Sequence, residues 1–209
     1  MANEITRLLP FRQYDDNDVI NFYSLDTITG EAGSLVKVSE ADLDKQPVEY
    51  TTRGDADSWV EQQGNALSLY PQVPYKVTKC VATGATVHPL GILLRDVRSK
   101  DENGENLLYY PEKREELQCV VSGEAVPIAT KGVFTLNVRG LTNGALPAIN
   151  DVAEPSLNGT LTGVTTTVVN HHVRKAHGVG KFIGTGYRES LSSTDAFAGN
   201  YAILALDCR

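Results

Sequence analysis

Three of the four histidines in this chain of 209 residues, His171, His172 and His177, stand close together, and imidazole readily binds transition metals and moves protons near neutral pH. Consecutive residues of a strand face opposite sides, so His171 and His172 cannot both ligate one ion without distortion. His177 shares parity with His171 if the strand continues, but no carboxylate or cysteine completes a zinc spacing. A partly exposed strand or a subunit contact explains them more simply, and no metal is expected.

The other chemical candidates are equally incomplete. Gly178-Val179-Gly180-Lys181 resembles a fragment of a phosphate loop, but Phe182 follows the lysine where a hydroxyl for magnesium is needed. Asp15, Asp16 and Asp18 could attract calcium, yet the glycine and distal glutamate of a calcium loop are missing, so a solvated turn is expected. Asp101-Glu102-Asn103-Gly104-Glu105 fails in the same way. Ser190, Ser192, Ser193 and Thr194 occupy a polar loop with no G-x-S-x-G elbow. Cys80 and His88 read as a chance pairing, and no paired acids on a helix suggest a glycosidase. Cys80, Cys119 and Cys208 are odd in number and widely spaced, which argues against both a disulfide framework and a zinc site. They read as small apolar residues in strands, with Cys208 close enough to the C-terminus to be exposed. The expectation is a protein without catalytic residues or cofactors.

Composition points the same way. The net charge is −7, and lysine and arginine are scattered, so no basic stripe offers itself to nucleic acid. The longest apolar runs, such as Gly91-Ile92-Leu93-Leu94, fall far short of the roughly 20 residues that span a bilayer. No membrane partner is expected. With no h-region near Glu4 and Arg7, the chain reads as a soluble protein made in the cytoplasm.

The elements that would position these residues are mostly strands. In Gly123–Val138, a strand, a tight glycine turn and a second strand succeed one another, with Phe134, Leu136 and Val138 facing a core. Val19, Asn21, Tyr23 and Leu25 alternate as one strand, and Ser34–Val38, Tyr75–Ala82 and Gly91–Arg98 read as others. Asn103-Gly104 predicts a type I′ hairpin pairing Leu93–Arg98 with Asn106–Tyr110. Pro111–Gln118 is a short helix with proline in its first turn, and a second short helix could run through Trp59 and Gln63. Val164–Val173, Lys181–Gly184 and Tyr201–Leu206 are strand-like and rich in β-formers.

These elements imply an all-β fold, a small barrel or sandwich with one short helix and an extended N-terminal arm. Residues 1–17 would be the arm, 18–138 the main β domain and 139–163 a Gly/Asn/Pro-rich loop or linker. Residues 164–209 would complete the core or form a small second lobe. In the arm, Leu8, Leu9, Phe11 and Tyr14 show no period, so the chain's own core or a neighbour must hold them.

Several segments resemble tailed-bacteriophage capsid decoration, or cement, proteins. Gln118–Leu136 is similar to their core hairpin, and so are Asp18–Leu25 and the strand at Gly33–Val38. Gly180–Gly186 and Asp195–Asp207 are similar to phage head proteins. The likeness covers about half the chain, in patches. It implies a structural protein on the exterior of a virion capsid, made in the bacterial host and bound to the major capsid protein, where it stabilises contacts between capsomers. It also implies a homotrimer, or as second choice a homodimer, with Leu8, Leu9, Phe11 and Tyr14 as contact candidates in the arm. A second reading is a glycan- or receptor-binding β-sandwich module, or head fibre, using aromatics such as Trp59, Tyr109 and Tyr110. A third is a hydrolase built on the histidine cluster.

Overall fold

Leu35-Val36, Ile92-Leu93 and Ile128-Ala129 are three pairs of adjacent apolar residues, and all six residues are fully buried. Side chains alternate across a strand, so burial of both neighbours means that both faces of these strands are covered. Leu35, Ile92 and Ala129 lie opposite one another in register and enter one core; Val36, Leu93 and Ile128 enter a second. A central sheet with cores on both faces follows.

The computed structural model describes residues 7–40, 75–81, 87–165, 178–191, 195 and 197–208. That central sheet has the order β2 (Val19–Ile20), β9 (Ile128–Ala129), β6 (Gly91–Leu93), β4 (Leu35–Glu40), β5 (Lys76–Lys79) and β3 (Ser24–Leu25). The first sheet has the order β1 (Leu8–Gln13), β10 (Lys131–Asn137), β14 (Gly199–Asp207), β13 (Gly180–Arg188), β11 (Val152–Pro155) and β12 (Leu161–Val164). A parallel pair, β7 (Asp96–Arg98) with β8 (Cys119–Val121), completes the strands among the described residues. Parallel strands need a long crossover, and this one carries the helix α1 (Pro111–Glu116). The fold is all-β and sandwich-like, with one short helix and no closed barrel among the described residues.

The central sheet is rolled. Strands β2 and β3 form its two edges, yet only residues 21–23 separate them in the chain. Six flat strands would set the edges about 24 Å apart at ~4.8 Å per neighbour, beyond the ~15 Å that four residue steps can reach. The concave side must therefore close on the second core, and Val97 and Val120 of the parallel pair join that core. Phe22 stacks on Tyr75 at 4.7 Å and meets Tyr23 edge-on at 5.3 Å, where the two edges approach.

In the first sheet a row of buried side chains runs Phe134, Leu204, Phe182 across three paired strands. With Leu8, Leu136, Leu161 and Ala202 it covers the face turned to Leu35, Ile92 and Ala129. Each large side chain so buried contributes about 1.5–3 kcal/mol.

Several expectations need correction. The segment 19–25 is two short strands on opposite edges of the rolled sheet, because one straight strand could not serve both. Asn103-Gly104 does not make a paired hairpin. Gly104 has a φ of +85°, but Asn103 does not share the positive φ of a type I′ turn. Instead Asp101 Oδ1 accepts from the N–H groups of Asn103 and Glu105, and the ladder stops at the bridge Lys100–Asn106. Residues 139–163 are no linker. They hold β11, β12 and tight turns in which Asn143, Asn150 and Asn158 take φ of 55°, 72° and 55°, and β11 pairs with β13. Asparagine tolerates that region through local hydrogen bonding, so the composition that suggests a linker serves short strands at close spacing. Strands β13 and β14 lie inside the first sheet, with β14 beside β10 and β13 between β14 and β11. The helix expected near Trp59 lies outside the described residues.

Candidate functional site

Strand β1 begins with buried Leu8 and Leu9, at 7 % and 3 % exposure, and lies antiparallel to β10 with Leu8 opposite Leu136 and Arg12 opposite Phe134. Between those registers the strand bulges at Leu9-Pro10-Phe11. Proline removes a ladder donor and is tolerated at such an edge. The bulge accompanies the missing period, since Leu8 and Leu9 are both buried where the ladder register breaks. Tyr14 stacks on Phe134 with ring centroids 5.8 Å apart. Of the two anchors open to this segment, the chain's own core holds Leu8 and Tyr14, and Leu9 is buried as well. Of the four contact candidates, Leu8 and Leu9 therefore offer little free surface. Phe11 is 73 % exposed and remains available.

The residue before them organises a second feature. Arg7 has a side chain only 8 % exposed, and its Nε forms an ion pair with Glu31 Oε2. Its Nη1 donates to Ser34 Oγ at 3.2 Å and to the Asn158 carbonyl at 3.0 Å. One guanidinium thus joins the first sheet's edge, the turn before β4 and the turn before β12. Glu31 also faces Arg139 at 4.0 Å.

Beyond Glu31 opens a cleft of about 340 Å³, lined by the Thr29–Glu31 turn, Lys79 at the end of β5, and Asp96–Lys100. Asp96 accepts from Ala32 N at 2.7 Å and from Arg98 Nη2 at 2.9 Å. Burial and the charge of Arg7 push the Lys79 ammonium below its usual pKa range, against the pull of Glu31. None of these residues carries a local sequence signal. Arg7 and Glu31 are brought together by the stacking of two sheets, and Lys79 and Lys100 come from the end of β5 and the segment after β7, which are not paired with each other.

The remaining candidates take structural roles. Asp15 caps a single 3-10 turn, accepting from Asn17 N at 2.9 Å. Gly180 opens β13 where an added Cβ would stand 2.1 Å from the Ala205 carbonyl oxygen, so its glycine serves strand contact. Burial pushes the Cys80 and Cys208 thiols up to about 12 and raises that of Cys119. All three therefore favour the neutral thiol over the nucleophilic thiolate at neutral pH. Tyr109 and Tyr110 are exposed just before α1. Asp195 accepts from the N–H groups of Leu191 and Phe197. His171, His172, His177 and Trp59 lie outside the described residues, as do Ser192, Ser193 and Thr194. Among the described residues no group of three histidine, cysteine or acidic side chains is placed to hold a metal ion, and no helix is long and apolar enough to cross a membrane.

No protein-family model, no curated protein and no solved structure matches this chain.

Proposed function

We propose that this chain is a structural protein of a tailed-phage virion that binds the outer face of the capsid and stabilises contacts between capsomers, as a homotrimer or, second, a homodimer. The observation that carries the reading is Phe11, an aromatic ring left 73 % exposed on a bulged edge strand whose neighbouring leucines are locked into the core. A rigidly based, exposed aromatic is the kind of group that anchors protein interfaces. The patchy likeness to cement proteins supplies the kind of partner, the major capsid protein. Many equivalent weak contacts on one shell would act together, so modest affinity per copy suffices.

The test is binding of purified protein to expanded shells that lack it. The parent chain should bind saturably and raise the shells' resistance to heat or osmotic pressure, and Phe11→Ala should weaken binding by about 2 kcal/mol, the scale of an interface hot spot. Absence of binding, or bound shells no tougher than bare ones, rejects the proposal. The second reading, a glycan-binding module, draws on Tyr109 and Tyr110, 63 % and 47 % exposed side by side. A glycan array without hits removes it.

A further inference from the structure

We propose that the cleft between the Thr29–Glu31 turn, the end of β5 and the Asp96–Lys100 segment is an anion-binding site, taking a phosphate or carboxylate group on the ammonium groups of Lys79 and Lys100.

Two carboxylates line the cleft, and both are already committed. Asp96 is held by Arg98 and by the Ala32 N–H, and Glu31 by Arg7 with Arg139 beyond it. Lys79 and Lys100 line the same cleft, and neither side chain makes an ion pair or hydrogen bond with another described residue. The lining itself carries three cations, Lys79, Arg98 and Lys100, against those two carboxylates. This excess sits in a chain whose overall charge is −7, so the whole-protein field does not explain it.

Lys79 is the informative member. Its ammonium is partly desolvated and stands near the Arg7 cation, and both effects disfavour its charge. A bound anion would reverse both by replacing lost hydration with a charge-assisted hydrogen bond. The hydroxyl-bearing Thr29 and Ser99 on the lining can supply further donors to an oxyanion. At about 340 Å³ the cleft lies near the lower end of the range for small-molecule sites, so it suits a compact phosphorylated or carboxylated ligand.

The test uses the full chain at low ionic strength, titrated calorimetrically with inorganic phosphate and, separately, with acetate. The two arms distinguish a phosphoryl from a carboxylate source. At least one anion should bind saturably. Lys79→Met and Lys100→Met should each weaken it about tenfold, the loss of one charge-assisted hydrogen bond. Lys131→Met, an exposed lysine at the start of β10 and away from the cleft, should leave binding unchanged. Side-chain ammonium NMR gives an independent readout, because binding should raise the Lys79 pKa. No saturable binding of either anion, equal binding by Lys79→Met and the parent, or equal weakening by Lys131→Met overturns the proposal. Removing an unpaired, partly buried charge should not lower the melting temperature, and an unchanged melt shows that the variants remain folded.

Discussion

Replacing Arg7 by methionine tests the logic of the fold most sharply, because it removes a charge and its hydrogen bonds while roughly keeping the length of the side chain. In the parent, the guanidinium makes an ion pair with Glu31 and donates to Ser34 Oγ and the Asn158 carbonyl. Bonds of this charge-assisted kind contribute about 1.5–3 kcal/mol each when well buried. Two of the partners are less well buried than that. Glu31 has a side chain 38 % exposed and Asn158 is exposed, so water can recover part of what they lose. Ser34 is fully buried and cannot recover in this way. Allowing the full value only for Ser34 and about half for the others gives a loss of about 3–6 kcal/mol for Arg7→Met.

Glu31→Gln should cost about 1 kcal/mol alone, and the double variant should be about 1 kcal/mol more stable than the sum of the two losses. Equilibrium unfolding in urea measures all four proteins, with unchanged m-values as the check that only the native state is affected. An Arg7→Met loss below 1 kcal/mol, or strictly additive single losses, refutes the claim that this guanidinium joins the two sheets. The same variant should raise the pKa of Lys79, since Arg7 is one of the two influences that hold it down.

The thiols give a second prediction. In native protein the buried Cys80 should resist alkylation at pH 8, and the half-buried Cys208 should react slowly, while all three cysteines react after denaturation; rapid native labelling of Cys80 refutes its burial. Their folded pKa, about 12, lies above the model-compound value of 9.0, so the unfolded chain releases protons first as pH rises. Their stabilising contribution is thus complete below pH 9.0 and lost progressively toward 12, and unfolding curves recorded across that window should show the decline. Gly91→Ala should cost about 2 kcal/mol by overpacking, because the new Cβ would stand 2.2 Å from the Ala129 carbonyl oxygen, a backbone atom that cannot rotate away. Thermal or urea unfolding decides it, and parental stability would show that β6 and β9 are not in such close contact.

How much of this was legible in the sequence depends on how each strand is covered. The alternation of Phe134 and Leu136 was readable because β10 turns those residues to the core. Leu35-Val36 and Ile92-Leu93 announced strands but not faces, since the two cores on either side of β4 and β6 erase the period. Around Leu9 the bulge broke the period outright, and residues 19–25 kept a period of two although rolling splits them into β2 and β3. In 139–163, asparagine and glycine serve tight turns, and composition alone cannot separate that use from a linker. The Arg7 cluster was invisible for a different reason. Its members are 24 and 151 residues apart in the chain and meet only through the stacking of layers. The aspartates of Asp15–Asp18 and Asp101 could be placed in turns beforehand because their partners are two to four residues away.

Sharing strands between two cores has a mechanical consequence. Moving β4, β6 or β9 relative to the first sheet separates Leu35, Ile92 and Ala129 from Phe134, Leu204 and Phe182. The same motion disturbs Val36, Leu93 and Ile128 on the concave side. Neither core can open by sliding this seam without straining the other, because close-packed interiors deform little before contacts are lost. Arg7 adds a polar tie between the first sheet's edge and the turn that leads into β4, so a force applied at β1 reaches the seam through a charged, largely buried contact and not through backbone alone. An edge strand backed in this way can transmit load from an exposed group such as Phe11 into the body of the protein. For a chain proposed to hold neighbouring capsomers together, that property bears more on function than any single reactive residue.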